Sequence, residues 1–166
     1  MGLIIGNLFS LLAMVADSFS SSRKTVRGML LVQCLGLAFF AASSICLKGY
    51  SAAVQNVVGI FRNLLASSKY QSKKLEWVMV GLAVGLGLLF NNLGLIGTLP
   101  VIGNLEYTVA MFRVKDNERV LKFAFLVSIC MYAVFNLYIK NFVGLIANIV
   151  VISVTASFLI RGGKKA

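Results

Sequence analysis

Long apolar runs, broken by short basic stretches, set the plan of this chain. The runs are Met1–Asp17, Arg27–Leu47, Ser51–Ser67, Trp77–Asn91, Leu99–Phe112, Val120–Ile139 and Phe142–Ile160. None alternates polar and apolar positions, so none has the period of a barrel strand. In lipid every backbone N–H and C=O must be satisfied inside the protein, which leaves helices. A helix needs roughly 20 mainly apolar residues to cross a bilayer, with a range of about 17–25. The pattern therefore predicts an all-α integral membrane protein of seven transmembrane helices. Loops are expected at 18–24, at Lys48-Gly49, at 68–74 and at the uncharged stretch Asn92–Thr98. Leu93–Leu99 fits either the fourth or the fifth run. Met1–Ala16 has no basic start and no A-x-A-like cleavage site, so it is taken as a first helix that is kept.

Composition agrees with that plan. Hydrophobic residues make up 59% of the chain and charged residues 13%, against about 45–50% and 25% in soluble domains. Seven spans leave no room for a soluble domain beside them. The net charge of +11 has two readings. A basic face for nucleic acid is one. Membrane topology is the better one, because lysine and arginine gather on cytoplasmic loops. With the N-terminus outside, 13 of the 16 basic residues fall on inner loops and the C-terminal tail. Among them are Arg23, Lys24, Lys69, Lys73, Lys74 and Arg113. Lys48 and Lys140 fall outside, and Arg62 lies within the third run. The expected location is a bacterial inner membrane, multi-pass, with a cytoplasmic C-terminus and no nucleic-acid partner.

Enzyme chemistry finds no foothold. There is no histidine, and Cys34, Cys46 and Cys130 all sit in apolar runs without metal-ligand spacing. No cofactor motif is present, and no base stands ready to activate a serine.

The chain repeats itself. Ile5-Gly6-Asn7-Leu8 and Ala13-Met14 recur 97 residues on, as Ile102-Gly103-Asn104-Leu105 and Ala110-Met111. Arg27 matches Arg119, Phe40 matches Tyr132, Lys48 matches Lys140 and Asn56 matches Asn148, each at an offset of 92. A five-residue difference in the first loop would account for the two offsets. Two triplets of helices, parallel because the fourth helix restores the direction of the second, follow from that duplication. The expected division is 1–67, a linker with the fourth helix at 68–92, a second triplet at 93–161, and a tail at 162–166.

This arrangement resembles the SWEET and PQ-loop transporter superfamily. There, too, an aromatic residue precedes an asparagine by sixteen positions, as Phe40 precedes Asn56 and Tyr132 precedes Asn148. The resemblance implies that the paired asparagines line a substrate cavity, with proline acting as hinge. Pro100 is the single proline here. Leu99-Pro100-Val101-Ile102-Gly103, Ala110-Met111-Phe112-Arg113, Tyr132–Asn136 and Gly59–Arg62 are more similar to the YgjV-type family of bacterial inner-membrane proteins. That resemblance covers most of the chain and implies location rather than activity.

The candidate residues are few. Asn56 and Asn148, with Asn7 and Asn104 expected near mid-span, could hold a polar solute through amide donors and acceptors. Bonds between helices are the plainer role for such residues. Glu106, in the fifth run, is a candidate proton-coupling or cation-binding group. Alternatively it snorkels or forms a salt bridge, with Arg62 at similar depth as partner. Phe40, Tyr132 and Pro100 are candidate gate elements, although an aromatic belt explains the aromatics equally well. Gly81 and Gly85, with Gly87 nearby, predict a close packing face on the fourth helix, and Tyr70 and Trp77 predict interfacial anchors.

Two functions are compatible with these features. A small-solute transporter would alternate access between the triplets, for a polar uncharged metabolite such as a sugar. A non-transporting membrane module would instead bind lipid or a partner protein through its basic loops. No cofactor is expected in either case, and assembly into oligomers is compatible with both.

Overall fold

The structure is a computed structural model. It describes residues 1–21, 26–68, 72–113 and 118–162, with backbone alone at 18, 20, 21, 26, 27, 29, 118, 158, 161 and 162. The expected loop charges Arg23, Lys24, Lys69, Lys115, Lys164 and Lys165, with Tyr70 and the side chains of Arg27 and Arg161, lie outside what is described.

Seven helices form: α1 (Gly2–Ser21), α2 (Val26–Cys46), α3 (Tyr50–Ser67), α4 (Lys73–Leu89), α5 (Gly94–Arg113), α6 (Glu118–Tyr138) and α7 (Phe142–Gly162). At 1.5 Å per residue each is about 26–32 Å long, close to the thickness of a bilayer core. By length and composition, Gly94–Arg113 and Arg119–Tyr138 are each sufficient to cross a membrane. Gly2–Asp17, Leu30–Cys46 and Phe142–Ser157 are shorter apolar segments.

α1 and α4 reach a few residues into the expected loops, to Ser21 and from Lys73, and the largest shift of a helix start is in α5. α5 begins at Gly94 rather than Leu99, so most of the expected 92–98 loop is helix. Asn91 explains the early start. Its Nδ2 donates to the Gly94 carbonyl at 2.8 Å, and its Oδ1 accepts from Leu93 N at 3.1 Å. Gly94 takes a left-handed φ of +57°, and Gly97 leaves room for the Asn91 side chain, which a Cβ there would strike. Pro100 therefore sits inside the helix, fully buried, and leaves the Ile96 carbonyl without its helical donor.

The packing is inverted relative to a water-soluble domain. Ser10, Ser43, Ser51, Gln55, Asn63, Thr108 and Asn141 are each at most 1% exposed. Large aliphatic and aromatic side chains face outward, among them Ile4, Phe61, Trp77, Leu89, Leu95 and Val154. In lipid there is no hydrophobic force between helices, so small and polar residues fill the seams. Glycines follow the same logic, but not where the spacing put them. Gly81 and Gly85 face open space, whereas a Cβ on Gly87 would collide with Gln55 Nε2 and come within 2.7 Å of Val101.

Among the described residues α2 packs between α1 and α3, and α6 between α5 and α7. The triplets meet where α3 touches α5 and where α1 touches α7. The six helices thus close in the order α1, α2, α3, α5, α6, α7, and α4 lies outside, across α3 and α5. Helix starts in the second triplet follow those of the first by 92 residues at all three positions. Asn7 stands five residues into α1 and Asn104 ten residues into α5.

The α2–α3 and α6–α7 turns are equivalent. In each a lysine, Lys48 or Lys140, is left-handed, with φ of 60° and 59°. Gly49 N bonds the Ser44 carbonyl at 2.8 Å and Asn141 N bonds the Asn136 carbonyl at 2.9 Å, which completes a Schellman motif at each helix end. A left-handed lysine is strained where glycine is not. Lys48→Gly and Lys140→Gly should each raise stability by about 0.5–1 kcal/mol, read as a higher melting temperature in detergent. A lower one would mean that these exposed lysines do something besides turn the chain.

Candidate functional site

A chain of buried side chains crosses the α3–α5 seam. Arg62, twelve residues into α3, is 5% exposed. Its Nη1 donates to Asn104 Oδ1 on α5, and its Nε and Nη2 both donate to Asn63 Oδ1 at 3.2 Å. Asn63 passes the chain on, donating to Gln33 Oε1 of α2 at 3.3 Å. Asn104 Nδ2 donates to Gln55 Oε1 at 2.6 Å, and Gln55 Nε2 reaches the Ala83 carbonyl of α4 at 2.6 Å. Four helices are thereby tied through amides to one guanidinium.

The guanidinium also lies over the Tyr107 ring, 4.7 Å from its centroid, a placement that the π-face stabilises. Cys34 of α2 and Tyr132 of α6 are close enough to feel its charge. Tyr107 continues into an apolar cluster with Leu30, Met111 and Ala124, which fills the interior toward the α1–α2 and α5–α6 connections. Toward the turns the interior is polar instead. Ser10 and Ser43 share a 2.8 Å bond, and Asn141 Nδ2 reaches Asn136 Oδ1 at 3.1 Å and Ser43 Oγ at 3.5 Å.

The sequence-predicted residues fall in different places. Asn104 is in the network. Asn56 and Asn148, 92 residues apart, are both buried, and neither side chain makes a hydrogen bond among the described residues. Asn7 lies toward the turn end rather than at mid-span. Its Oδ1 accepts from Val143 N at 3.0 Å, and its Nδ2 donates to the Leu3 and Lys140 carbonyls. That fastens α1 to the start of α7. Asn92 does the same for the other turn, accepting from Tyr50 N and donating to the Lys48 carbonyl at 2.7 Å.

Glu106 does not pair with Arg62. It lines a shallow groove of about 370 Å³ on the outer face of α5, beside Ile102 and Arg113, and its Oε2 has no partner among the described residues. The ion pair found among those residues joins Arg113 Nε to Glu76 Oε1 at 2.7 Å. It binds the start of α4 to the end of α5, and Glu76 is buried. Of the gate candidates, Tyr132 is close enough to Arg62 to feel its charge, Pro100 is fully buried in α5, and Phe40 is partly buried next to Phe39, which stacks on Phe9 at 6.5 Å.

Sequence reasoning passed over Gln33, Gln55, Asn63, Asn136 and Asn141. Each is an amide within or beside an apolar run, a signal as strong as the one that singled out Asn56. The arrangement can bind and orient polar groups away from water. Among the described residues it offers no nucleophile with an adjacent base.

No match was found among curated proteins or among solved structures. The family model Imp-YgjV, described as a bacterial inner membrane protein, matches residues 4–166. A polar interior inside an apolar exterior is what such a location demands, and the chain belongs to this family of bacterial inner-membrane proteins.

Proposed function

We propose that the chain crosses the inner membrane seven times, as two related triplets with α4 as linker, and carries a small polar solute through the interior between them. The Lys48 and Lys140 turns face outward in this reading, and the basic connections face the cytoplasm. Alternating access would come from motion of one triplet against the other.

The observation that carries this reading is the pair Asn56 and Asn148. They occupy the same position of α3 and α7, about 9 Å along each helix. Both are buried without a side-chain hydrogen bond, and Asn148 Nδ2 and Ser51 Oγ are orphaned among the described residues. A buried unpaired amide costs about 1–3 kcal/mol. A solute that satisfies it removes that cost.

A thermal-shift screen of the purified protein, across sugars, nucleosides, amino acids and small acids, tests this. A stabilising solute should raise the melting temperature by mass action. The double variant Asn56→Leu/Asn148→Leu loses no internal bond, so it should fold and lose the response. A response that ignores both asparagines but vanishes with the exposed Lys73 and Lys74 would favour a lipid- or protein-binding module.

A further inference from the structure

The guanidinium of Arg62 is a buried charge without a counter-charge. No carboxylate reaches it among the described residues. Glu76 is taken by Arg113, and Glu106 faces the outer groove of α5. The groups that hold Arg62 are amide oxygens and a ring face, which orient a cation but leave its charge intact. One hydrogen on Nη1 and one on Nη2 have no acceptor among the described residues.

A purely structural cross-link would not need this. A neutral amide could bridge α3 to α5 without taking a charge out of water, and an ionisable residue at this depth is costly. The second triplet carries no such charge. At an offset of 92 from Arg62, Asn63 and Asn104 stand Val154, Thr155 and Leu12. Val154 and Leu12 face outward, so no buried cation is held there.

We propose that Arg62 is the anchor of an anion site, and that the solute this protein takes carries a carboxylate or a comparable small oxyanion. A planar guanidinium presents paired N–H groups that match the two oxygens of a carboxylate. Asn63 takes the Nε–Nη2 edge and Asn104 one hydrogen of Nη1, which leaves one hydrogen on each Nη for the ligand. The cluster of Leu30, Tyr107, Met111 and Ala124 closes the interior on the side of the α1–α2 connection. The anion therefore meets Arg62 from the side of Asn56 and Asn148. This proposal rests on the interior being a solute path, and replaces the uncharged solute with a charged one.

The test is thermal unfolding of the full chain in detergent, at constant ionic strength and constant chloride. The probes are sodium acetate, pyruvate, succinate and phosphate, with glucose as the neutral comparison. One of the anions, at about 100 times its Kd, should raise the melting temperature by roughly 5 °C, and glucose should not. Asn63→Asp places a carboxylate where Asn63 Oδ1 now accepts from Arg62. That variant should melt higher than wild type without ligand and lose the anion response. Should it not fold, Arg62→Gln keeps a bond to Asn104 without the charge, and should also lose the response. A wild type that none of the anions stabilises, or an Asn63→Asp protein that responds as wild type does, overturns the proposal.

Uptake into proteoliposomes separates this failure from that of the transport reading. Anion binding lost in Asn63→Asp, with no uptake of that anion, keeps the site and sinks transport. Glucose uptake that Asn56→Leu/Asn148→Leu abolishes and Asn63→Asp leaves alone keeps transport and sinks the anion site.

Discussion

Asn104→Leu should lower the stability of the purified protein by about 3 kcal/mol, one of the largest losses expected from a single replacement in the seam. The side chain is 4% exposed and makes bonds in two directions. Its Oδ1 accepts from Arg62 Nη1, and its Nδ2 donates to Gln55 Oε1 at 2.6 Å. Leucine has the same branching and is somewhat larger, so the loss would not come from a cavity. It would come from a buried guanidinium hydrogen and a buried amide oxygen left without protein partners. Asn56→Leu is the matched comparison, since Asn56 is equally buried on the neighbouring helix but has no bond to lose. It should be neutral or mildly stabilising in the absence of solute. Thermal melts of the two variants side by side decide the matter. Equal losses would mean that the network contributes nothing beyond packing.

The second large effect is expected on α4, where three glycines behave differently. Gly87→Ala puts a methyl group into Gln55 Nε2 and Val101, so α4 must move off the α3–α5 seam or Gln55 must release the Ala83 carbonyl. Overpacking of this kind costs about 1–3 kcal/mol, and the lost bond adds to it. Gly81→Ala and Gly85→Ala meet nothing within 4 Å. They should leave stability unchanged or raise it by up to about 1 kcal/mol through better helix propensity. Denaturation of the three variants in the same detergent provides the check. A Gly81→Ala loss as large as that of Gly87→Ala would mean that α4 packs by its other face.

These contrasts mark what the sequence could and could not disclose. The seven helices among the described residues were legible because each apolar run is long and lacks the period of a strand. The azimuth of a side chain around its helix was not legible. Glu106 and Asn104 are two residues apart on α5, about 200° around the axis. Similar depth made Glu106 look like a partner for Arg62, while rotation gave that partner to Asn104. The glycines failed in the same way: spacing identifies a smooth face but not the face that meets a neighbour. The start of α5 was open between Leu93 and Leu99 because that uncharged stretch continues the apolar pattern of both neighbours. Asn91 and Gly94 had already begun the helix there. The 97-residue match draws much of its length from aliphatic residues, which pair freely across greasy sequence. The 92-residue match of Asn56 with Asn148 agrees with the starts of α3 and α7.

The two seams that join the triplets differ in stiffness. At α3–α5 a web of amides, a buried cation and the buttress of α4 resist shear along much of the length. At α1–α7 the seam bonds among the described residues lie at one end, where Asn7 holds the backbone of Lys140 and Val143. Farther along, Leu12 and Val154 face outward. A ring so built is a spring with one reinforced side. Thermal energy distorts it unevenly, and the compliant edge runs along α1 and α7. Amide protection should follow the same gradient, with slow exchange in α3 and α5 and faster exchange in the half of α7 beyond Asn148.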